Sequence, residues 1–377
     1  MCLTSLPAAI HPAETHPDVE LYAIASRDAS SAGKAAKSYK FKKSYGSYQA
    51  LLDDPQVDMV YVSTPNGLHY EWASKALAAG KHVLLEKPFT ANGFEAKKLV
   101  QEAEKSGKDL MEAFHWQFHP AAHAWRQIID SGAYGPIIAT NARMVRLWIK
   151  TKLQLSRQWL MLFQTASPGV PDGDIRWQFD LAGGSCMDCT YALNFTRYAL
   201  RTGTPEKILS AVARPYSKDK RVDAAMNATI LFRDCRGDIV QSRVYMDMAR
   251  AWISGVVPPV WELPAIEVET DKAIIYFYNA MMPHLYHYIF ILDKATGKTT
   301  YKKQYSGGPI RGDVETSGVK GGKSAWSTYR WQLEAFVSKV KGRQPTCWVT
   351  GEESITQMET IDMVYQKAGL PARPGSS

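Results

Sequence analysis

The segment Lys81-His82-Val83-Leu84-Leu85-Glu86-Lys87-Pro88-Phe89 sets an ammonium, and the carboxylate just before it, at the end of a short apolar run. Val83 to Leu85 predicts a buried strand. In an open parallel α/β sheet ligands bind beyond the carboxyl ends of the strands, which is where Glu86 and Lys87 stand. Pro88 fixes its own φ and offers no N–H, so the strand stops there. An ammonium in such a place can hold a substrate oxygen. An arbitrary strand-end lysine is more often a solvated surface group, and it is the neighbouring elements that set this one apart.

Val57 to Ser63 (Val-Asp-Met-Val-Tyr-Val-Ser) predicts another buried strand, followed by Thr64-Pro65-Asn66-Gly67-Leu68-His69 and a helix over Tyr70 to Ala79. Glu20 to Ser26 predicts a strand with Arg27-Asp28 at its end and a lysine-dotted helix through Lys40. Strand and helix alternate as a doubly wound sheet requires. Asp109 to Phe114 closes this half, so the expected division is residues 1–119 and 120–377. In the second part, strands are expected over Ile137 to Trp148, Lys207 to Val212, Asn227 to Phe232, Asp238 to Met246 and Ala265 to Tyr278. Asp234-Cys235-Arg236-Gly237 reads as a hairpin turn. A helix entered through Gly183-Gly184 runs to Leu200 and carries Asp188 and Tyr191, whose spacing of three puts them on one helical face. Helical periodicity returns over Tyr329 to Lys341 and Glu352 to Lys367, and Ser306 to Ser324 reads as a mobile loop. The expected fold is α/β, a Rossmann-type parallel sheet followed by an α+β part with a largely antiparallel sheet.

The 377 residues, 45% hydrophobic and 22% charged, suit two domains with substantial cores and exclude disorder. No apolar run is long enough for a membrane span, and the N-terminus does not read as a signal peptide, so a cytoplasmic location is expected. The net charge of +8 is weak evidence for nucleic acid, because Lys34, Lys37, Lys40, Lys42 and Lys43 fall on a solvated helix face and loop. Five cysteines in a chain without export signals point to free thiols. Cys186-x-x-Cys189 has redox or zinc spacing but no second ligand pair. His115, His119 and His123 read as polar filling, and no metal is expected.

The order of these motifs resembles the Gfo/Idh/MocA oxidoreductase family. The matching residues are Ala25-Ser26-Arg27-Asp28, Ser63-Thr64-Pro65-Asn66 with His69, Glu86-Lys87-Pro88, Glu112-Ala113-Phe114 leading to Phe118-His119-Pro120, Gly183-Gly184 leading to Asp188 and Tyr191, Thr328 to Phe336, and Ala368-Gly369-Leu370-Pro371. The last two look like the family's sugar and dihydrodiol dehydrogenase branch. The resemblance implies an open-faced second sheet used for self-association, hence a homodimer. It also implies an opening strand and a G-x-G-x-x-G turn, yet no such glycine pattern precedes Glu20. Leu6-Pro7-Ala8-Ala9-Ile10 reads instead as the tail of the first helix. The missing strand lies centrally in the family's sheet, so its loss is expected to open the sheet. A start at an internal methionine of a longer protein is favoured over true loss of the turn, since Lys87, Asp188 and Tyr191 are all in place.

The resemblance implies hydride transfer from a carbinol or hemiacetal carbon of a sugar or small polyol to nicotinamide, which requires a group to take the hydroxyl proton. Tyr191 is the expected proton acceptor, since an ammonium beside a phenol stabilises its ionised form; Lys87 supplies that ammonium. Asp188 would orient Lys87 or bind a substrate hydroxyl. Ser26-Arg27 at the end of the second strand is the NADP-type pairing, with Asp28 capping the next helix. Ser63, Thr64, Asn66, His69, Glu86 and Lys87 are expected to line the nicotinamide side, Trp116 to flank the ring, and Arg176 and Trp177 to contact substrate and nicotinamide. The alternatives are a dihydrodiol dehydrogenase, a tailoring oxidoreductase of a biosynthetic pathway, or a non-catalytic NADP-binding regulator.

Overall fold

A computed structural model describes residues 6–145, 170–249, 262–307 and 324–376. They form two compact units. The first comprises residues 1–123, 304–358 and 375–377, and the second residues 124–303 and 359–374. The chain therefore crosses between the units more than once, whereas a division at Pro120 has it cross once.

In the first unit β1 (Ala23–Ala25) pairs in parallel with β2 (Lys43–Tyr45), and β3 (Met59–Val62), β4 (His82–Leu85) and β5 (Leu110–Glu112) form a second parallel sheet in that order. Val60, Val62, Val83, Leu84, Leu85 and Met111 are all buried, as expected of parallel strands covered on both faces. Among the described residues no strand joins β1 to β3. In the doubly wound order one strand belongs between these two, and the sheet is divided at that place. Near it, α1 (His11–Glu14) and α9 (Thr328–Val340) share a core of Ala13, Leu333 and Val337. Val19 and Leu21, which lead into β1, and Met59, which opens β3, pack against this core.

The crossover helices start and stop on local chemistry. Asp28 accepts from the Ser31 N–H at 2.7 Å at the head of α2 (Ala29–Tyr39), and Lys40 ends it at φ 60°. After α3 (Tyr48–Leu52), α4 (His69–Ala78) lies against β3 and β4. Asn92 caps α5 (Gly93–Ser106), which Gly107 ends at φ 66°.

In the second unit α6 (Pro120–Asp130) contributes most of its length, followed by an eight-stranded sheet. Its strands are β6 (Ile137–Val145), β7 (Lys207–Pro215), β8 (Asp223–Arg233), β9 (Ile239–Asp247), β10 (Ala265–Thr270), β11 (Ala273–Tyr278), β12 (Tyr288–Asp293) and β13 (Thr299–Lys302). The order is β13-β12-β11-β10-β6-β9-β8-β7, antiparallel throughout except for β6 beside β9. Alternation sends Ala228, Ile230, Val244, Met246, Val268 and Phe277 to the buried face. On that face lies the helix Tyr191–Leu200, in contact with β6, β9 and β10. The turn at Asp234 to Gly237 joins β8 to β9 as expected, with Asp234 accepting from the Arg236 and Asp238 N–H groups. β12 and β13 lie beyond the strands anticipated from sequence, and so does β2 in the first unit, where Lys43, expected in a loop, opens a strand beside β1. Trp148, the expected end of β6, and residues 308–323 of the expected loop lie outside the described residues. The last helix is α10 (Gly351–Lys367). Among the described residues no helix is long and apolar enough to cross a membrane.

Candidate active site

β4 delivers Glu86 and Lys87 at its carboxyl end. The Glu86 N–H donates to Val62 O at 2.9 Å, continuing the ladder one residue past the strand. Tyr61 pairs with Leu84 in the parallel register, so Glu86, two residues on, lies diagonally across on the same face. The Tyr61 hydroxyl donates to the Glu86 carboxylate, and the other carboxylate oxygen accepts from the Lys87 N–H at 3.1 Å. Glu86 is thereby anchored beside the lysine it precedes. The Lys87–Pro88 peptide is cis.

His69, at the head of α4, is 1% exposed. Its Nδ1 lies 2.7 Å from Pro88 O and its Nε2 2.9 Å from Thr64 O. The ring spans the turn after β3 and the turn after β4. Burial pushes its pKa down to about 4, against the pull of the two carbonyls, and the Lys87 ammonium pushes in the same direction as burial. Near neutral pH the ring is uncharged and donates to one of the two carbonyls. Ser63 is buried, while Thr64 and Asn66 are half-buried on the turn after β3. Ser26 and Arg27 follow β1, Ser26 half-buried with its N–H on Tyr45 O at 3.1 Å and Arg27 exposed. Trp116 is wholly buried in the turn His115–Phe118. His115 in that turn holds the Thr328 hydroxyl at 2.8 Å, and His119 Nδ1 accepts from the Ala121 N–H at 3.1 Å.

The other candidates belong to the second unit. The expected continuous helix is broken: α7 (Ser185–Asp188) ends at Asp188 and α8 (Tyr191–Leu200) begins at Tyr191, with Cys189 and Thr190 between them. Asp188 and Tyr191 therefore do not share one helical face by i, i+3 spacing, which corrects that expectation. Both are buried, at 4% and 3% exposure. The Arg176 Nε donates to Asp188 at 3.2 Å and its Nη1 to Asp174 at 3.1 Å. Asp188, and after it Asp174, hold the half-buried guanidinium firmly charged. Trp177 stacks on Tyr216 with centroids 4.3 Å apart, and its indole N–H donates to Pro171 O at 2.9 Å.

Sequence reasoning missed Tyr61 and Asp174. Tyr61 was findable, because a tyrosine in a parallel strand beside Val83-Leu84-Leu85-Glu86 meets the glutamate diagonally once the register is set. Asp174 has only its spacing of two from Arg176. Among the described residues no three acidic, histidine or cysteine side chains converge as a metal set.

These residues offer polar and cationic groups at the carboxyl ends of β1, β3 and β4, where a doubly wound sheet binds a dinucleotide. In chemistry they suit an anionic dinucleotide, with the exposed guanidinium of Arg27 after β1, neutral polar groups on the turn after β3 and the Lys87 ammonium after β4. The glycine turn that would approach the pyrophosphate is not in the sequence before Glu20.

Residues 7–114 match the family model described as "Oxidoreductase family, NAD-binding Rossmann fold". The D-xylose 1-dehydrogenase (NADP(+)) 2 of Haloferax volcanii is 30% identical over 95% of this chain and 92% of its own length. The chain belongs to the Gfo/Idh/MocA oxidoreductase family. Within this family of NAD(P)-binding enzymes, it is also similar to the dTDP-3,4-didehydro-2,6-dideoxy-alpha-D-glucose 3-reductase of Actinomadura kijaniata, 31% identical over 68% of this chain and 73% of that one. In fold it matches the aldose-aldose oxidoreductase of Caulobacter crescentus with TM-score 0.71 at 20% identity, covering 97% and 94% of the two chains.

Proposed function

We propose that this oxidoreductase is an NADP-dependent dehydrogenase taking a hydride from a carbinol or hemiacetal carbon of a sugar or small polyol, such as C1 of D-xylose, with a lactone as product. The likeness to the Haloferax enzyme across 95% of the chain carries this reading. NADP, when bound, accepts the hydride. Lys87 holds the substrate oxygen and stabilises negative charge on it, Tyr191 takes the hydroxyl proton, and Asp188 is a substrate-binding partner fixed by Arg176. Glu86, tied by Tyr61 and by the Lys87 N–H, steadies the turn that presents Lys87. Arg27 answers the extra phosphate of NADP.

Incubating the protein, extended by a strand and a G-x-G-x-x-G turn ahead of Leu6, with D-xylose and either NADP or NAD, and following absorbance of the reduced nicotinamide, tests the reading; the 377 residues by themselves should bind either nucleotide poorly. Reduction of NADP in preference to NAD is expected. No reduction with any of a panel of aldoses and diols, by a protein shown to bind NADP, would overturn it. The Actinomadura relative supports a second reading, the reverse reaction on a keto-sugar, which oxidation of NADPH by 3-keto-sugars would reveal. We further propose that the protein is a homodimer in solution that covers the exposed sheet face around Val212, Ile239 and Tyr301. Light scattering at the monomer mass would refute it.

A further inference from the structure

Asp223, the first residue of β8, and Arg373, near the end of the chain, form an ion pair at 2.7 Å in which both side chains are wholly buried. Neither charge belongs to the proposed chemistry. Asp223 Oδ1 accepts from Arg373 Nη2 and from the Tyr365 hydroxyl at 2.9 Å. Its Oδ2 accepts from the Ser185 hydroxyl at 2.6 Å and the Cys186 N–H at 2.8 Å. Arg373 Nε donates to Gly183 O at 2.7 Å, and its Nη1 donates to Arg221 O and Pro371 O. The guanidinium also lies 3.9 Å from the centroid of the Tyr365 ring.

The pair therefore grips one short stretch, Gly183 to Cys186, by a carbonyl, an amide and a hydroxyl. α7 has no cap of its own: Gly184 stands at its N-cap with φ 134° and no side-chain bond. The Asp223 carboxylate takes over that work from another strand, accepting an N–H of the first turn. The fit leaves no room for a side chain. A Cβ on Gly184 would meet Asp223 Oδ1 at 2.1 Å and Arg373 Nη2 at 2.6 Å, and one on Gly183 would meet Arg176 O at 2.4 Å. Arg176 is the residue that pairs with Asp188, so the gripped stretch adjoins Asp188 at both of its ends. Asp188 N–H donates to Gly184 O at 2.9 Å, and α8 begins three residues further on at Tyr191.

We infer that Asp223 and Arg373 are positioning residues for the proposed reaction: the end of the chain, through one buried guanidinium, sets where Asp188 and Tyr191 stand. This inference rests on the assignment of Tyr191 and Asp188 to the chemistry. The decisive variant is Arg373→Lys, which keeps the charge and loses the fork that reaches Gly183 O while holding Asp223. Amide exchange followed by mass spectrometry on the full chain should quicken about tenfold or more over Gly183 to Tyr191 and stay unchanged in β3 to β5. Turnover should fall about 10- to 100-fold, because displacements of about 1 Å at reacting groups cost that much, with NADP affinity within about twofold of the parent. Millimolar methylguanidinium added to Arg373→Ala should restore part of both, a rescue that mere loss of packing would not show.

A folded Arg373→Lys protein with parent-like exchange over Gly183 to Tyr191 would overturn the inference, as would parent-like turnover. Should Arg373→Lys fail to fold, Ser185→Ala decides, since it deletes only the hydroxyl on Asp223; unchanged exchange at Cys186 to Tyr191 would then refute the inference. The two assignments fail separately. If Tyr191→Phe keeps normal turnover, the chemical reading falls while the exchange result for the grip stands.

Discussion

His69 gives the proposed site a built-in sensitivity to acid, and its size can be worked out. The ring is 1% exposed, and its pKa in the folded chain is about 4 against an ordinary value of 6.5. The folded state thus takes up a proton later than the unfolded chain. The stability due to this ring is fully present above about pH 6.5 and is lost as the pH falls towards 4. Between pH 7 and pH 4.5 the loss is about 2 kcal/mol, from the ratio of proton binding by the two states. Replacing the ring in His69→Gln keeps a donor for one of the carbonyls of Thr64 and Pro88 and removes the titration. Urea unfolding at the two pH values, on parent and variant, isolates the term, because every other titrating group is common to both. The variant should lose about 2 kcal/mol less than the parent over this interval. Equal losses would refute the reasoning, as would a His69 ring resonance that titrates near 6.5. Lys87→Met offers an internal check, since removing the neighbouring ammonium should raise the His69 pKa.

In a chain with the glycine turn restored, Lys87→Met and Tyr191→Phe should each lower turnover by about 100- to 10,000-fold with nucleotide binding largely intact, and the double variant should be little worse than the poorer single one; steady-state kinetics on the three proteins check this. Arg27→Ala should weaken NADP binding and leave NAD binding nearly unchanged, as calorimetric titration with each nucleotide would show. Gly184→Ala should destabilise the protein by about 3 kcal/mol, since it forces a Cβ onto a buried carboxylate at a φ unsuited to L side chains. Gly33→Ala, in α2 with no atom within 4 Å of the added Cβ, should instead stabilise by about 0.5–1 kcal/mol; thermal unfolding of the pair separates the two effects.

β1, β3, β4 and β5 were legible as short apolar runs, whereas β2 (Lys-Ser-Tyr), polar and largely exposed, carried no such signal; Asp28 was legible as a cap from its position before a helical pattern. β12 could have been read from Tyr288-Ile-Phe-Ile-Leu-Asp293 and the Thr296-Gly297 turn after it. The break between Asp188 and Tyr191 had no such signal. Cys189 and Thr190 are neither glycine nor proline, and what holds α7 at its start is a carboxylate 38 positions from Ser185. Pro371 to Ser376 looks like a polar tail by composition, yet it carries a wholly buried arginine whose partner lies 150 positions away. Local propensity carries no information about contacts of that range.

The position of Lys87 just beyond β4 follows from the strand before it, because a strand's end says where the next side chain will stand; periodicity does not reach Asp188 in the same way, and its partner Arg176 comes from a turn without a pattern. The cofactor side follows the same logic. Arg27 is placed by the end of β1, whereas the pyrophosphate would be met by a turn after the strand that belongs between β1 and β3. The missing glycine pattern and the divided sheet are thus one fact at two levels. The residue pattern that would cradle phosphate and the strand that would join Ala23–Ala25 to Met59–Val62 are the same stretch of chain in a doubly wound fold. The strands on either side keep their own pairing and register, so Arg27 and Lys87 each still follow the carboxyl end of a formed strand, one in each of the two sheets.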